Sequence, residues 1–188
     1  MGKYDVTQEQ YQVVIGTNPS NFIGKDNPVE QISWHDADGF CAKLSKSTQQ
    51  AIRLPSEAEW EFACRAGTTT VYYSGNSKAD LDRICWYKGN SNNAAHPVGQ
   101  KDPNSFGLYD MLGNVFQLTQ DGAENYSSSA QINPFDLGGA PAMRGGAFCI
   151  DFNHCKSASR TWYPRNDRVP EREYQGFRIV MTLAESKH

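Results

Sequence analysis

The chain has 188 residues, 38% hydrophobic and 12% aromatic, which suits a single domain with its own core. Its net charge of -3 names no strongly charged partner, and seven Lys/Arg against four Asp/Glu between Arg144 and Arg178 is too acid-diluted for a nucleic-acid patch. There is no apolar run long enough to cross a membrane as a helix.

The chain opens at Gly2–Val6 in what reads as the middle of a strand, so its Met-Gly start reads as an internal boundary. Thr7 and Gln10 then form a capping-box pattern. Tyr11, Val14 and Ile15 follow at helical spacing, and Gly16 stops the helix. Asn18 to Asn21 is a turn, and Pro28 to Ile32 reads as a second short strand. Ser33 caps the next helix, whose buried stripe is Trp34, Ala37, Cys41 and Leu44. The clearest helix follows Arg53-Leu54-Pro55, with Ser56 as cap, Glu59 closing the box and Gly67 as stop. Glu57, Glu59 and Glu61 resemble a carboxylate cluster. Acids at a helix N-terminus satisfy its dipole, however, and residues two apart do not share a face, so a structural role is favoured.

After Gly67 the helices are expected to stop. Thr68 to Tyr73 reads as a strand, and Asn76 to Gln100 as loop anchored by Trp86 and Tyr87. Pro103 to Val115 reads as a tight core loop entering a strand over Val115 to Thr119. Gly122 to Gly139 is low in order signals and is expected to be mobile; a last strand lies near Phe177 to Thr182. Helices early and short strands late make the chain α+β. There is neither βαβ alternation nor a GxGxxG, which argues against a nucleotide-binding α/β fold.

Five cysteines, Cys41, Cys64, Cys85, Cys149 and Cys155, form no CxxC pair, which argues against a structural zinc site. Cys41 and Cys64 fall on apolar helix faces and read as buried thiols. Between Arg144-Gly145-Gly146 and Gly176-Phe177-Arg178 lies a segment rich in aromatics, Arg, Asn and Asp. That composition suits a binding surface, because rings and guanidinium groups bury much area with little lost freedom. About half of its aromatics are expected to be exposed.

Several blocks carry a family resemblance: residues 2–11, 27–29, 53–63, 97–100, 104–115, 144–146 and 176–178. Together they are similar to the formylglycine-generating enzyme, or sulfatase-modifying factor, family. The resemblance implies an irregular C-type-lectin-like fold in one domain over 1–188, and a cell-surface or extracytoplasmic setting. It also implies a copper oxidase that converts a substrate cysteine to formylglycine with two cysteines four residues apart. In this chain five residues separate Cys149 from Cys155, and Cys155, ahead of Ser157-Ala158-Ser159-Arg160, matches the buried structural cysteine of non-catalytic relatives. The oxidase, with Cys149 and Cys155 as the copper-thiolate pair, therefore stands as the alternative.

The family's calcium would fall on Asp110, Gly113, Val115 and Gln117, with Gln117 where relatives carry Glu. The swap keeps an oxygen and removes a charge, so calcium is an optional structural ion and no cofactor is required. One branch of the family comprises the variable proteins of diversity-generating retroelements, in which adenines of Asn codons are randomised on a fixed scaffold. Randomising the first two bases of AAC reaches every residue from Phe148 to His154. The resemblance thus implies a non-enzymatic binder, expected to be monomeric, for an unidentified macromolecular ligand, most simply a protein. Its contact set runs through 147–175. The first group is Phe148, Cys149, Ile150, Asp151, Phe152, Asn153 and His154. Ser159, Thr161, Trp162 and Tyr163 follow. The last group is Arg165, Asn166, Asp167, Arg168, Glu171, Arg172, Glu173 and Tyr174.

Overall fold

The computed structural model describes residues 1–122, 140–162 and 174–182. Four helices precede most of the strands: α1 (Gln8–Ile15), α2 (Trp34–Thr48), α3 (Glu57–Arg65) and α4 (Lys78–Ile84). Each begins with a capping box, formed by Thr7 with Gln10, Ser33 with Asp36, Ser56 with Glu59 and Ser77 with Asp80. In each box two backbone N–H groups that would otherwise lack partners are satisfied locally. α1 ends at Gly16 in the left-handed region, as expected, whereas α3 ends one residue early, with Ala66 rather than Gly67 as its left-handed cap. The fourth helix lies inside the stretch read as loop. Its signal was Ser77 three residues before Asp80, with Leu81 and Ile84 both buried on one face.

The strands are short. β1 (Ala51–Arg53) pairs antiparallel with β6 (Val180–Thr182). A second sheet runs in the order β4-β3-β2-β5, from β2 (Phe116–Gly122), β3 (Pro141–Arg144), β4 (Arg160–Trp162) and β5 (Gln175–Gly176). β3 lies antiparallel to both β2 and β4, while β5 runs parallel to β2, with a register shift in β2 between Leu118 and Gly122.

Three expected strands do not form ladders. Gly2–Val6 is instead tied to the C-terminal stretch by single bonds: Gly2 N–H donates to the Ile179 carbonyl at 2.7 Å and Val6 N–H to that of Phe177 at 2.9 Å. Pro28–Ile32 makes one bridge, Thr7 with Pro28, and Gln31 turns the chain away at φ 61°. Thr68–Tyr73 makes only the Tyr72–Gly75 bridge. The strand expected from Val115 starts at Phe116, and the one expected from Phe177 starts at Val180. The expectation of mobility for 122–139 falls almost wholly on 123–139, outside the described residues.

Two apolar clusters hold these pieces. In the first, α1, α2 and the C-terminal stretch meet through Tyr11, Phe40 and Phe177; Tyr11 stacks on Phe40 at 5.6 Å, and Phe177 meets Phe40 edge-on at 5.2 Å. The second joins α3 and α4 to the 108–112 loop through Trp60, Cys64, Leu81, Ile84, Met111 and Leu112. Trp34 ties α2 to the larger sheet, its indole N–H donating to the Thr119 carbonyl at 2.8 Å.

The two stereotyped ends, RGG and GFR, belong to the core, and both of their arginines are fully buried. Arg178 donates to Gln117 Oε1 at 2.7 Å, to the Gly2 carbonyl at 3.0 Å and to the Tyr109 carbonyl at 2.8 Å, and lies 3.4 Å from Asp5. Burial pushes the Asp5 carboxyl up to about 8; Arg178 opposes this shift and Asp110 adds to it. The folded chain therefore holds a proton at Asp5 that the unfolded chain has released above the ordinary value of 3.8. Stability from this group is greatest at low pH and falls as pH rises from about 4 through about 8. Burial raises Asp110 and Asp121 as well, so they act in the same direction. Chemical denaturation across that range should give a declining stability, and Asp5→Asn should make the decline measurably shallower.

Candidate ligand-binding site

The RGG turn fixes one side of the site. Arg144, on β3, donates to the carbonyls of Ser157, Ala158 and Ser159 at 3.1, 3.0 and 2.8 Å. It pairs with Glu61, and its guanidinium sits 4.9 Å from the centre of the Trp60 ring. Gly145 and Gly146 have φ 93° and 80°, and a Cβ on Gly146 would lie 2.6 Å from Cys155 Sγ. The turn therefore requires glycine for both its conformation and its clearance.

The three acids of α3 are each committed to arginines. Glu57 receives Arg160, Glu59 receives Arg53 and also bonds the Ser56 amide, and Glu61 receives Arg144 and Arg65. The cluster is an arginine-binding face, in line with the structural reading.

With Arg144 holding 157–159 and Arg160 held by Glu57, β4 is fixed along β3, pairing Thr161 with Met143 and Trp162 with Ala142. A cleft of about 320 Å³ opens over this edge, lined by Phe116, Met143, Ile150, His154, Ser159, Arg160, Thr161, Trp162, Tyr174 and Gln175. That is the lower end of the size range for ligand pockets. Phe116 and Tyr174 lie 5.9 Å apart, and Trp162 is 58% exposed. Gln175 is only 2% exposed, and among the described residues nothing donates to its Oε1. A buried acceptor left this way costs about 1–3 kcal/mol.

Of the expected contact residues, Ile150, His154, Ser159, Thr161, Trp162 and Tyr174 line this cleft. Asp151 and Asn153 are exposed on an adjoining 3₁₀ turn, where the Asp151 side chain accepts from the Asn153 amide at 3.0 Å. Phe152 is half-buried beside Tyr87, and Cys149 is half-buried against the first core cluster. Phe148 must be corrected from surface to core. It is 2% exposed and meets Phe22 edge-on at 5.0 Å, because the glycine turn directs the chain inward before it emerges. Tyr163, Arg165, Asn166, Asp167, Arg168, Glu171, Arg172 and Glu173 lie outside the described residues. Phe116, Met143, Arg160 and Gln175 were missing from the expected set. The first two carry only ordinary strand alternation in sequence, Arg160 served as a landmark, and Gln175 directly precedes the GFR end.

The two cysteines of the oxidase alternative pack in different parts of the core. Cys149 packs against the first cluster, whereas Cys155 is fully buried in the second. Cys155 Sγ donates to the Asp151 carbonyl at 3.9 Å, and beside it the Cys85 thiol is pushed well up, first by burial and then by its interaction with Cys155. Among the described residues no group of three or more His, Cys, Asp or Glu is arranged to hold a metal.

Nor do the residues of the expected calcium site fit that ion. Gln117 Oε1 accepts from Trp60 Nε1 at 2.6 Å and from Arg178 Nε at 2.7 Å, while Gln117 Nε2 donates to the Asp110 carbonyl at 2.7 Å. Two donors, one of them cationic, occupy the oxygen a cation would need. Asp110 Oδ2 accepts from the Gly99 amide at 2.7 Å, the Gly113 amide donates to the Gly145 carbonyl at 2.9 Å, and Val115 is buried.

The model for the sulfatase-modifying factor enzyme 1-like domain matches residues 1–183. The chain belongs to this family. It is 30% identical to the chaperone protein LppX of Paenibacillus barcinonensis, across 61% of this chain and 59% of that protein. With the formylglycine-generating enzyme of Bos taurus it shares 29% identity across 69% of this chain and 37% of the enzyme. The chain thus spans less than two thirds of either relative. The solved structure of Treponema denticola variable protein 1 superposes with a TM-score of 0.86 at 28% identity, covering 94% of this chain and 83% of that one. The family therefore holds both a named enzyme and a named variable protein on the fold described above, a C-type-lectin-like α+β fold.

Two substitutions separate scaffold from surface. Arg144→Ala removes one member of a buried pair and should cost about 3–5 kcal/mol in urea denaturation. Trp162→Ala, on the edge strand β4 and more than half exposed, should cost clearly less than Arg144→Ala in the same assay.

Proposed function

We propose that this protein is a non-enzymatic ligand binder, the variable protein of a diversity-generating retroelement, which presents its 147–175 segment to a macromolecular partner, most simply a protein. The observation that carries this reading is the convergence of Ile150, His154, Ser159, Thr161, Trp162 and Tyr174 on one cleft, beside a scaffold whose two bracketing arginines, Arg144 and Arg178, are fully buried. Similarity to Treponema denticola variable protein 1 supports it. The separation of Cys149 and Cys155 into different core clusters speaks against a copper-thiolate pair. A cell-surface setting and a monomeric state go with the proposal.

The gene itself provides the test. A nearby near-copy of the stretch encoding 147–175, differing at adenines and accompanied by a reverse transcriptase gene, is the expected finding; its absence sinks the retroelement reading. Incubation with Cu(I), oxygen and a Cys-x-Pro-x-Arg peptide is expected to leave the peptide cysteine unchanged. Aldehyde formation that is lost in Cys149→Ala would establish the oxidase instead.

The proposal requires no metal at Gln117. Thermal melts in excess calcium and in excess chelator should coincide, since both lone-pair directions of the Gln117 oxygen are already filled by protein donors.

A further inference from the structure

We propose that the cleft over β4 and β5 accepts a neutral aromatic side chain bearing its own N–H or O–H, that of a tryptophan or tyrosine on the partner, and that Gln175 Oε1 takes the hydrogen bond. The inference rests on the ligand-binding reading above and adds the chemistry of the group bound.

Three features select this occupant. First, much of the wall is apolar: Phe116, Tyr174 and Trp162 contribute rings, and Met143 and Ile150 line the same cleft. Rings gain from offset and edge contacts with other rings, and a thioether beside an aromatic edge adds to that. Second, among the described residues no carboxylate lines the cleft, so they offer a cation no counter-ion. The Arg160 guanidinium is already held by Glu57, with Nε donating to Oε1 at 2.8 Å, so an anion finds its arginine engaged.

Third, the lining contains one conspicuous unmet demand. Gln175 is 98% buried, and its side-chain oxygen has no donor among the described residues. Native structures seldom leave such an acceptor unmet; a water or a ligand group supplies the bond, and the position of Gln175 in the wall of the cleft favours a ligand donor. The terminal amide of glutamine turns easily about its last torsion, so Oε1 can swing to meet an entering donor. An aliphatic side chain would fill the volume and leave the oxygen unmet. An indole or a phenol does both tasks at once, in the way buried Trp and Tyr anchors commonly do.

The test uses N-acetyl-tryptophanamide, its 1-methylindole analogue and N-acetyl-phenylalaninamide as probes of the intact chain, followed by protein NMR. The tryptophan probe is expected to shift the Met143 methyl and the Gln175 side-chain amide resonances. The other two are expected to bind at least about tenfold more weakly, equivalent to about 1.4 kcal/mol. Gln175→Leu should abolish that discrimination. The comparison of probes on the unaltered protein stands even if this variant fails to fold. Equal affinity for all three probes in the cleft, shifts confined to another face, or no binding overturns the donor requirement. None of these outcomes touches the ligand-binding reading, which falls separately if the copper assay yields aldehyde.

Discussion

Two guanidinium groups taken fully out of water are the constraint around which this molecule is built. A fold with strands of two to seven residues leaves many backbone carbonyls without a ladder partner. Arg144 and Arg178 supply the missing donors. Together they reach the carbonyls of Gly2, Tyr109, Ser157, Ala158 and Ser159, bringing the first residues, the 103–115 loop and the approach to β4 onto one core. Arginine suits this task better than lysine because its planar fork carries five fixed donors and its charge is weakly hydrated.

Burying two cations requires compensation, and the structure provides it unequally. Arg144 has Glu61 and the more distant Glu57, both from α3, and the face of Trp60. Arg178 has Asp5, whose own burial favours the protonated form, so its positive charge is met mainly by oxygen dipoles: two carbonyls and the Gln117 side chain. Gln117 is the joint between the two ends of the segment. It pairs with Arg144 across β2 and β3, with Gly176 across β2 and β5, and bonds to Arg178. A neutral amide at this position accepts from two donors and donates to a carbonyl, which a carboxylate could not do.

What the sequence disclosed follows from the range of the forces involved. Helix starts were legible because a capping box closes within four residues; Thr7, Ser33 and Ser56 each announced theirs. Ser77 with Asp80 carried the same signal for α4, but it was outweighed by the surrounding Asn, Gly and Ser. The strands were less legible because their partners are distant: β1 meets β6 about 130 residues later, and Gly2–Val6 looked like a strand yet found single bonds rather than a ladder. Within the site, contact residues such as Ile150 and Trp162 could be named from the make-up of the segment, but which of its rings would be exposed could not, and the inward turn of Phe148 depended on the glycine pair before it. Gln175 could not be singled out at all. Its significance lies in a bond it does not make, and that is visible only once its neighbours are in position.

The way Arg144 grips the 157–159 stretch has a bearing on how this protein can change over time. All three of its bonds there go to main-chain oxygens, which Ser157, Ala158 and Ser159 would offer whatever side chains they carried. The anchorage is blind to the identity of the residues it holds. It constrains the path of the backbone and leaves the alphabet along that path open, so codon drift at Ala158 or Ser159 would remodel the rim of the cleft without loosening the attachment beneath it.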